Sequence, residues 1–529
     1  MIALVRPNLN TEMFKIFSES LALGYLSAVL RENGIETDII DSYLEDMKPY
    51  ELSQRVIEKN YQIVGFTIYS ALSLEWSAQA ARFIKKEKPE VHIIIGGHAP
   101  SFDYEYILLA VPEIDSVGRF EGEYVLLNLA KALLNKEEWK VTGGLAFRNR
   151  GNVVSNEPLP LIFDLDKLPF PQRDYLPYLI EKYPDEYTVY INRGRGCYRK
   201  CAFCSVPFFF SVPDGKPVRQ RSNENLVSEI KNLVDKYKVD NFTFIDDIFI
   251  LPSEKGRKDT IQLAELIKKQ DLKIYFSIAE RIDNLNEEVV DELISAGLIR
   301  IFIGLEAATQ EILDKLDKQI NKKIMEETLT WLLSKGIDIE ISFINFLPFN
   351  TLKDIEENIR FFSQWGVDIL RSLGNRLEPY PGTSLHDKLK KEKNLVRDGF
   401  SYDYIANTID PRVDVLYRII QPSIPFFALI SHQLRATKTL LWKKRSTVKN
   451  FNVFYDHIHS LQRAVVFEGR DLILSLIDYL KEHEKVNISE LRNEIYEIIT
   501  EEAERWLSFL LEIKRKIKEV DNDEQTNQI

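Results

Sequence analysis

Cysteine is scarce in this chain. Three occur among 529 residues, and all three fall within eight positions, at Cys197, Cys201 and Cys204. That scarcity excludes a disulfide framework, since pairing any two would leave an odd thiol. Histidine is thin as well. None of the 7 histidines precedes His92 and none lies between 99 and 385. No nearby imidazole is therefore available to complete a Cys3His zinc site. Positive charge is also short, with 69 Lys and Arg against 81 Asp and Glu for a net charge of −12. That balance argues against nucleic acid as a general partner. No run reaches the ~18 apolar residues that a membrane span needs. The start, Met1-Ile-Ala-Leu-Val-Arg-Pro7, lacks the basic region and apolar stretch of a signal peptide and reads as a strand. A cytoplasmic location without a transmembrane segment is expected. What is abundant is apolar surface: 45% hydrophobic content is ample for several cores, and the length suggests about three domains.

The cysteines lie in the run Arg195-Gly-Cys-Tyr-Arg-Lys-Cys-Ala-Phe-Cys204, a C-x3-C-x2-C spacing. One short loop of that form can aim three thiolates at a single cubane. A [4Fe–4S] cluster ordinarily takes four cysteines, so three leave one iron open to another ligand. With no fourth cysteine in the chain, an auxiliary cysteine-ligated cluster is excluded.

Residues 1–135 alternate short apolar runs with helical patterns. Strands are expected at 2–5, 36–41, 63–66, 92–95 and 114–117, with helices at 21–32, near 74–85 and from about 122. Such alternation gives a doubly wound parallel sheet, whose ligands bind beyond the carboxyl ends of the strands. Here those ends carry Thr67 to Ser70, Gly96-Gly-His98 and Gly118-Arg-Phe-Glu-Gly-Glu123. Residues 136–185 are dense in proline and read as a linker. From 186 to 385 a β/α pattern repeats about six times, enough for a partial barrel with its site at the strand ends. Strands are expected at 187–192, 241–245, 273–278, 298–304, 338–343 and 368–373. The cysteine loop follows the first of them. Residues 386–529 read as mostly helical with a disordered polar tail. A basic stretch there, Arg435, Lys438, Lys443, Lys444, Arg445 and Lys449, reads first as a solvated helix face and second as an anion or membrane contact.

These motifs resemble the radical S-adenosylmethionine (SAM) enzymes, and with the N-terminal sheet they resemble the cobalamin-dependent branch with a B12-binding domain. The likeness covers roughly residues 1–385. It implies an α/β fold: a Rossmann-like cobalamin-binding domain, a partial (β/α)6 barrel and a helical C-terminal region. It implies a [4Fe–4S] cluster on Cys197, Cys201 and Cys204, with SAM and cobalamin as further cofactors. Phe203 would meet the adenine, and Asp246 and Asp247 the methionine amino group. Arg281 would pair the SAM carboxylate, and Glu306 would accept from the ribose hydroxyls. Thr67, Ser70, Gly96, Gly97, Gly118, Glu121 and Gly122 would surround the corrin and its nucleotide tail. The Asp-x-His-x-x-Gly motif of better-known cobalamin proteins is absent, so a histidine lower ligand is not expected; His98 is expected in a loop role. The Phe208-Phe-Phe210 run fits an apolar pocket or plain packing. The implied activity is methylation of an unactivated carbon on a natural product, peptide or lipid, with a low-potential donor such as flavodoxin or ferredoxin. The alternatives are ring formation or rearrangement on a lipid or tetrapyrrole without methyl transfer, and a cluster- and corrin-binding sensor without turnover.

Overall fold

The computed structural model describes residues 1–9, 17–404, 409–445, 448, 450–483 and 485–526, the last seven of them as backbone only. Among these residues two large sheets carry the molecule. The first is built from β1 (Ile2–Arg6), α1 (Leu21–Glu32), β2 (Thr37–Asp41), α2 (Pro49–Lys59), β3 (Ile63–Thr67), α3 (Ala71–Glu87), β4 (His92–Gly96), α4 (His98–Ala110), β5 (Ser116–Gly118) and α5 (Gly122–Leu134). Its parallel strands are apolar on both faces because helices cover both. Ala3, Val64, Phe66, Ile93 and Ile95 pack in the core on one side, and Leu4, Ile63 and Ile94 in the core beside α1 and α5 on the other. Ser20 and Ser70 cap α1 and α3 by accepting from backbone N–H groups of the first turn.

The sheet does not stop at residue 135. β6 (Leu145–Asn149) pairs antiparallel with β5, and β7 (Asn152–Ser155) with β6, giving the order β2-β1-β3-β4-β5-β6-β7. These strands lie in the stretch expected as linker. Its Gly151-Asn152 turn closes a hairpin, with Gly151 at φ 86°. Gly143, Gly144 and the prolines fall outside the two strands.

The second sheet is all parallel. After α6 (Leu176–Lys182) come β8 (Val189–Ile191), β9 (Gly194–Arg195), α7 (Val206–Phe209), β10 (Arg219–Gln220), α8 (Asn223–Tyr237), β11 (Asn241–Phe244), α9 (Glu254–Lys269), β12 (Tyr275–Glu280), α10 (Glu287–Ser295), β13 (Leu298–Glu306), α11 (Gln310–Lys315), α12 (Lys322–Leu333), β14 (Asp338–Phe343) and α13 (Leu352–Ser363). The order is β14-β13-β12-β11-β8, with β9 and β10 forming a small antiparallel pair. The sixth strand expected at 368–373 is reduced to single parallel bridges, Glu340 to Asp368 and Phe346 to Arg376. The buried Asp368 carboxylate accepts from Ser431 Oγ at 2.6 Å and from the Leu370 N–H at 3.1 Å, and a 3-10 turn, Leu370–Ser372, follows.

The C-terminal part is α14 (Ser384–Lys391), a hairpin of β15 (Leu395–Asp398) and β16 (Ser401–Tyr404), then α15 (Pro411–Ile420), α16 (Ile424–Lys443), α17 (Phe451–Glu482) and α18 (Ile488–Thr526). The basic stretch is not a solvated face. Lys438 is buried and donates to Asp338 and Gln462, Arg435 reaches Glu340 at 3.5 Å, and Arg300 joins Asp338 at 2.7 Å. Lys443 pairs with Asp240 at 3.1 Å, and Arg445 lies 4.9 Å over the Trp442 ring. Lys449 lies outside the described residues, as do residues 527–529 of the tail expected to be disordered. The preceding tail backbone continues α18. The stretch Pro411–Lys443 is long and apolar enough to span a membrane by length and composition. Its Phe427, Ile430 and Leu434 are buried in the main core.

Candidate functional site

The carboxyl ends of both sheets face one cavity of about 350 Å³. From the first sheet come Thr67, Gly96, Gly97, His98, Gly118, Glu121 and Gly122; from the second, Asn192, Gly194, Arg195, Ile245 and Asp247. Below the opening an apolar slot runs between the sheet and helices α1 and α5, lined by Leu4, Leu23, Leu26, Gly65, Ile94 and Val125. A Cβ on Gly96 would meet only the Gly118 carbonyl, at 3.4 Å, so the space above β4 exists because side chains are omitted. Gly97 serves a different need. Its φ of 135° and the Ile68 carbonyl 2.0 Å from a built Cβ exclude other residues from the turn into α4. An apolar slot opening into a glycine-floored cleft is a cradle that fits a corrin with its tail.

Six of the seven residues expected around the corrin line this cavity. Ser70 does not. It caps α3 and lines a separate small pocket together with Asp103, Tyr380 and Tyr402. Its Oγ accepts from the Ser73 N–H, a cap that turns it away from the cleft. His98 is also not in a loop. It is the first residue of α4, stacks on Phe209 with 4.0 Å between centroids, and stands 3.2 Å from Ser205 Oγ through Nδ1. Burial pushes its pKa down to about 4. Phe209 and Phe210 line the cavity and pack with Phe120 and Leu161, so the phenylalanine run is both pocket wall and core.

The cysteine loop is held from several sides. Gly196, at φ 85°, brings the loop against Pro217, whose carbonyl oxygen is 2.1 Å from a built Cβ. The Ala202 N–H donates to the Leu316 carbonyl at 2.9 Å. Cys201 is buried, while Cys197 and Cys204 are half-buried. Burial raises the Cys197 thiol and pushes Cys204 up to about 12, with Cys201 adding to both. Such thiols stay protonated unless a metal displaces the proton. Among the described residues no three His, Cys, Asp or Glu side chains are grouped for one metal ion. A cubane instead distributes three thiolates over three irons. The donor set and the shared loop fit that cluster.

Arg195, two residues before Cys197, joins the halves. It donates to Glu121 Oε1 at 2.8 Å and Glu123 Oε1 at 2.6 Å at the start of α5. Burial works against its charge, but the Glu123 and Glu121 carboxylates outweigh it and raise its pKa. Arg219 adds a third bond, to Glu121 Oε2 at 2.9 Å.

The residues expected around SAM divide. Asp247 lines the cavity, and its Oδ2 accepts from the Gly196 N–H at 2.9 Å. Asp246 does not face a ligand. Both its oxygens accept from the Arg193 N–H at 3.0 Å, and Oδ1 also from that of Gly194, so it anchors the backbone leading to the cysteines. Burial raises it to about 7 despite those bonds. Arg281 stands 3.6 Å from Cys201 Sγ, while its other nitrogens go to Asp283 and the Lys318 carbonyl. Its guanidinium is thus engaged at the cluster loop and not held free for a carboxylate. Glu306 ends β13 with φ 71°, past a register shift in its pairing with β14. It accepts from Lys318 Nζ at 2.8 Å. Phe203 is half-buried, with Lys318 Nζ 6.0 Å from its ring centre. Sequence reasoning missed Arg195, Glu123 and Lys318. Arg195 carried a signal in its place beside the cysteines and Glu123 in its place at a strand end; Lys318 carried none.

Two family models match the chain: the Radical SAM superfamily over residues 191–362 and the B12 binding domain over 14–130. An uncharacterized methyltransferase of Pyrococcus horikoshii is 29% identical over 367 residues, 69% of this chain and 77% of its own. An anaerobic magnesium-protoporphyrin IX monomethyl ester cyclase of Rubrivivax gelatinosus is 28% identical over 424 residues, 77% of this chain and 73% of its own. Among solved structures, the cobalamin-dependent SAM radical enzyme OxsB, with aqua-cobalamin and SAM bound, superposes with a TM-score of 0.69 at 19% identity over 100% of this chain and 81% of its own. The radical SAM methyltransferase TsrM of Kitasatospora setae, with cobalamin and a [4Fe–4S] cluster bound, gives 0.62 at 17% identity over 75% of each chain. At those identities the likeness is one of fold. The cofactors of the two matched families are the [4Fe–4S] cluster, SAM and cobalamin. With both family models matched, the chain carries a Radical SAM domain and a B12-binding domain, in the fold of the cobalamin-dependent radical SAM enzymes.

Proposed function

We propose that this enzyme transfers a methyl group from SAM, by way of cobalamin, to an unactivated carbon of a small molecule, peptide or lipid. One observation carries the reading: a single cavity is lined at once by the glycine-rich strand ends of the first sheet and by the cysteine-loop side of the second. When bound, the cluster and cobalamin supply one-electron cleavage of SAM and methyl carriage.

The chain's own contribution is placement. Cys197, Cys201 and Cys204 would hold the cluster, the three thiolates that the loop supplies. Phe203 would pack against the adenine, Glu306 would accept from the ribose, and Asp247 would stand beside the amino group. Asp246 and Arg281 act from behind, by fixing the loop that bears the cysteines. Thr67 and the glycines admit the corrin, and Glu121 orients Arg195. Phe209, Phe210 and Ile245 keep the shared cavity apolar, which excludes water from a reactive carbon centre. The absence of cysteine outside the loop supports a reducing, cytoplasmic setting, and flavodoxin or ferredoxin is the proposed electron donor.

Anaerobic reconstitution with iron, sulfide, cobalamin, SAM, a low-potential reductant and a cell extract that supplies the methyl acceptor tests the reading. Deoxyadenosine and S-adenosylhomocysteine formed in step, and only with cobalamin, are expected. Deoxyadenosine alone would overturn methyl transfer in favour of ring formation, the reading that the similarity to the cyclase supports.

A further inference from the structure

Lys318 stands out among the charged side chains near the cysteine loop. It is 5% exposed, and its ammonium has one carboxylate partner, Glu306 Oε1 at 2.8 Å. It sits in a loop flanked by two left-handed residues, Asp317 at φ 49° and Gln319 at φ 56°. That loop is tied to the cysteine side at three points. Leu316 accepts from the Ala202 N–H at 2.9 Å, Gln319 accepts from Arg199, and the Lys318 carbonyl accepts from Arg281 Nη2 at 2.8 Å. Glu306 is equally constrained, by its positive φ and the register shift in β13. Strained backbone of this kind persists where the surroundings over-determine it, and it clusters at ligand sites. Only one oxygen of Glu306 is engaged. Among the described residues Oε2 accepts no hydrogen bond, so the ion pair fixes the carboxylate while leaving one acceptor open, and the Lys318 ammonium itself lies 6.0 Å from the Phe203 ring centre.

We infer that Lys318 is a positioning residue for SAM: by holding Oε1, it presents Oε2 of Glu306 to the ribose diol. The inference rests on the proposed SAM site and adds to it the group that orients the acceptor. An ammonium paired to a carboxylate also satisfies a buried charge that neither partner could leave alone.

Titration of cluster-loaded protein with SAM and with its 2′,3′-dideoxyribose analogue tests this. K318M is expected to weaken SAM binding about tenfold, the worth of a hydrogen bond to a charged group. It should leave affinity for the dideoxy analogue unchanged, because that analogue has no hydroxyl for Glu306 to receive. In an E306Q background K318M should add nothing. K318Q, polar but uncharged, gives a second reading should K318M fail to fold. Equal loss for both ligands, or no loss for SAM, overturns the proposal. Loss that persists with the dideoxy analogue but vanishes with decarboxylated SAM also overturns it, and makes Lys318 a carboxylate contact. Wild-type protein that binds neither ligand overturns the SAM site itself, and this inference with it.

Discussion

The two sheets present their carboxyl ends to the same space in opposite ways. The first presents absence: Gly96, Gly97 and Gly118 at the ends of β4 and β5, and an apolar slot behind them. The second brings Arg195 and Asp247 to it, and behind them charge already spent, with Asp246 on two backbone amides, Arg281 on Asp283 and the loop, and Glu306 on Lys318. A large, mostly apolar group is received by omitting side chains. A small polar one is received by groups whose geometry has been set in advance by other groups, so that binding requires little reorganisation.

The largest effect that could break this contrast is at the cysteines. Each of C197S, C201S and C204S should abolish iron loading of the cluster and reduce deoxyadenosine to background, while corrin retention by the first sheet stays near wild type. Iron analysis beside the visible corrin spectrum checks both halves. Corrin loss in step with iron would show that the halves are one cooperative site.

The next effect lies on the seam. R195M would leave Glu121 and Glu123 buried without their shared guanidinium. Breaking a buried ion network from one side costs roughly 3–5 kcal/mol. Urea unfolding of the cofactor-free protein should register a loss of that order. A loss below about 1 kcal/mol would mean that water reaches the pair and the seam is open.

How much of this was legible in the sequence follows the same division. The first sheet's five parallel strands and the glycines beneath the cavity could be read because omission is visible in one dimension, although the pair after His92 to Ile95 has two uses: Gly96 leaves the strand end bare and Gly97 makes the turn into α4. The β6–β7 hairpin was hidden by the prolines and glycines around it. The sixth barrel strand was read from apolar residues near 368–373, but buried Asp368, bonded to Ser431 far along the chain, goes with a turn instead. Spacing located the cysteines, and motif likeness singled out Phe203 and Glu306 as candidates. It could not give Lys318 or the real partners of Asp246 and Arg281, because a side chain's partner is a tertiary fact. Lys438 shows the same limit: a charge read as solvated is buried against Asp338.

Filling the omitted space gives the third effect. G96L places a side chain where a Cβ has contact only with the Gly118 carbonyl, so the fold should accept it with little change in melting temperature. Corrin affinity should fall by about one to two orders of magnitude, as one poorly accommodated side chain in a packed site costs roughly 1–3 kcal/mol. Unchanged corrin retention would mean that the cofactor does not enter over β4. Unfolding would instead mean that Gly96 is needed for the strand.

The smallest effect concerns His98, which belongs to the first sheet but leans on the cysteine loop through Ser205 and Phe209. Burial disfavours its imidazolium, holding the pKa near 4 against an ordinary 6.5. Between those values the unfolded chain binds a proton there and the folded chain does not. The His98 contribution therefore stands at neutral pH and is lost as pH falls from 6.5 toward 4. Linkage puts this at about 2 kcal/mol between pH 7 and 5. H98F keeps the stacked ring and removes the titration. Its stability should fall less than wild type's over that interval, by about that difference, and the His98 ring resonances of the wild type should not move until near pH 4. Titration near 6.5 would mean that solvent reaches the ring, and that the two sheets meet less tightly at this edge of the cavity than at Arg195.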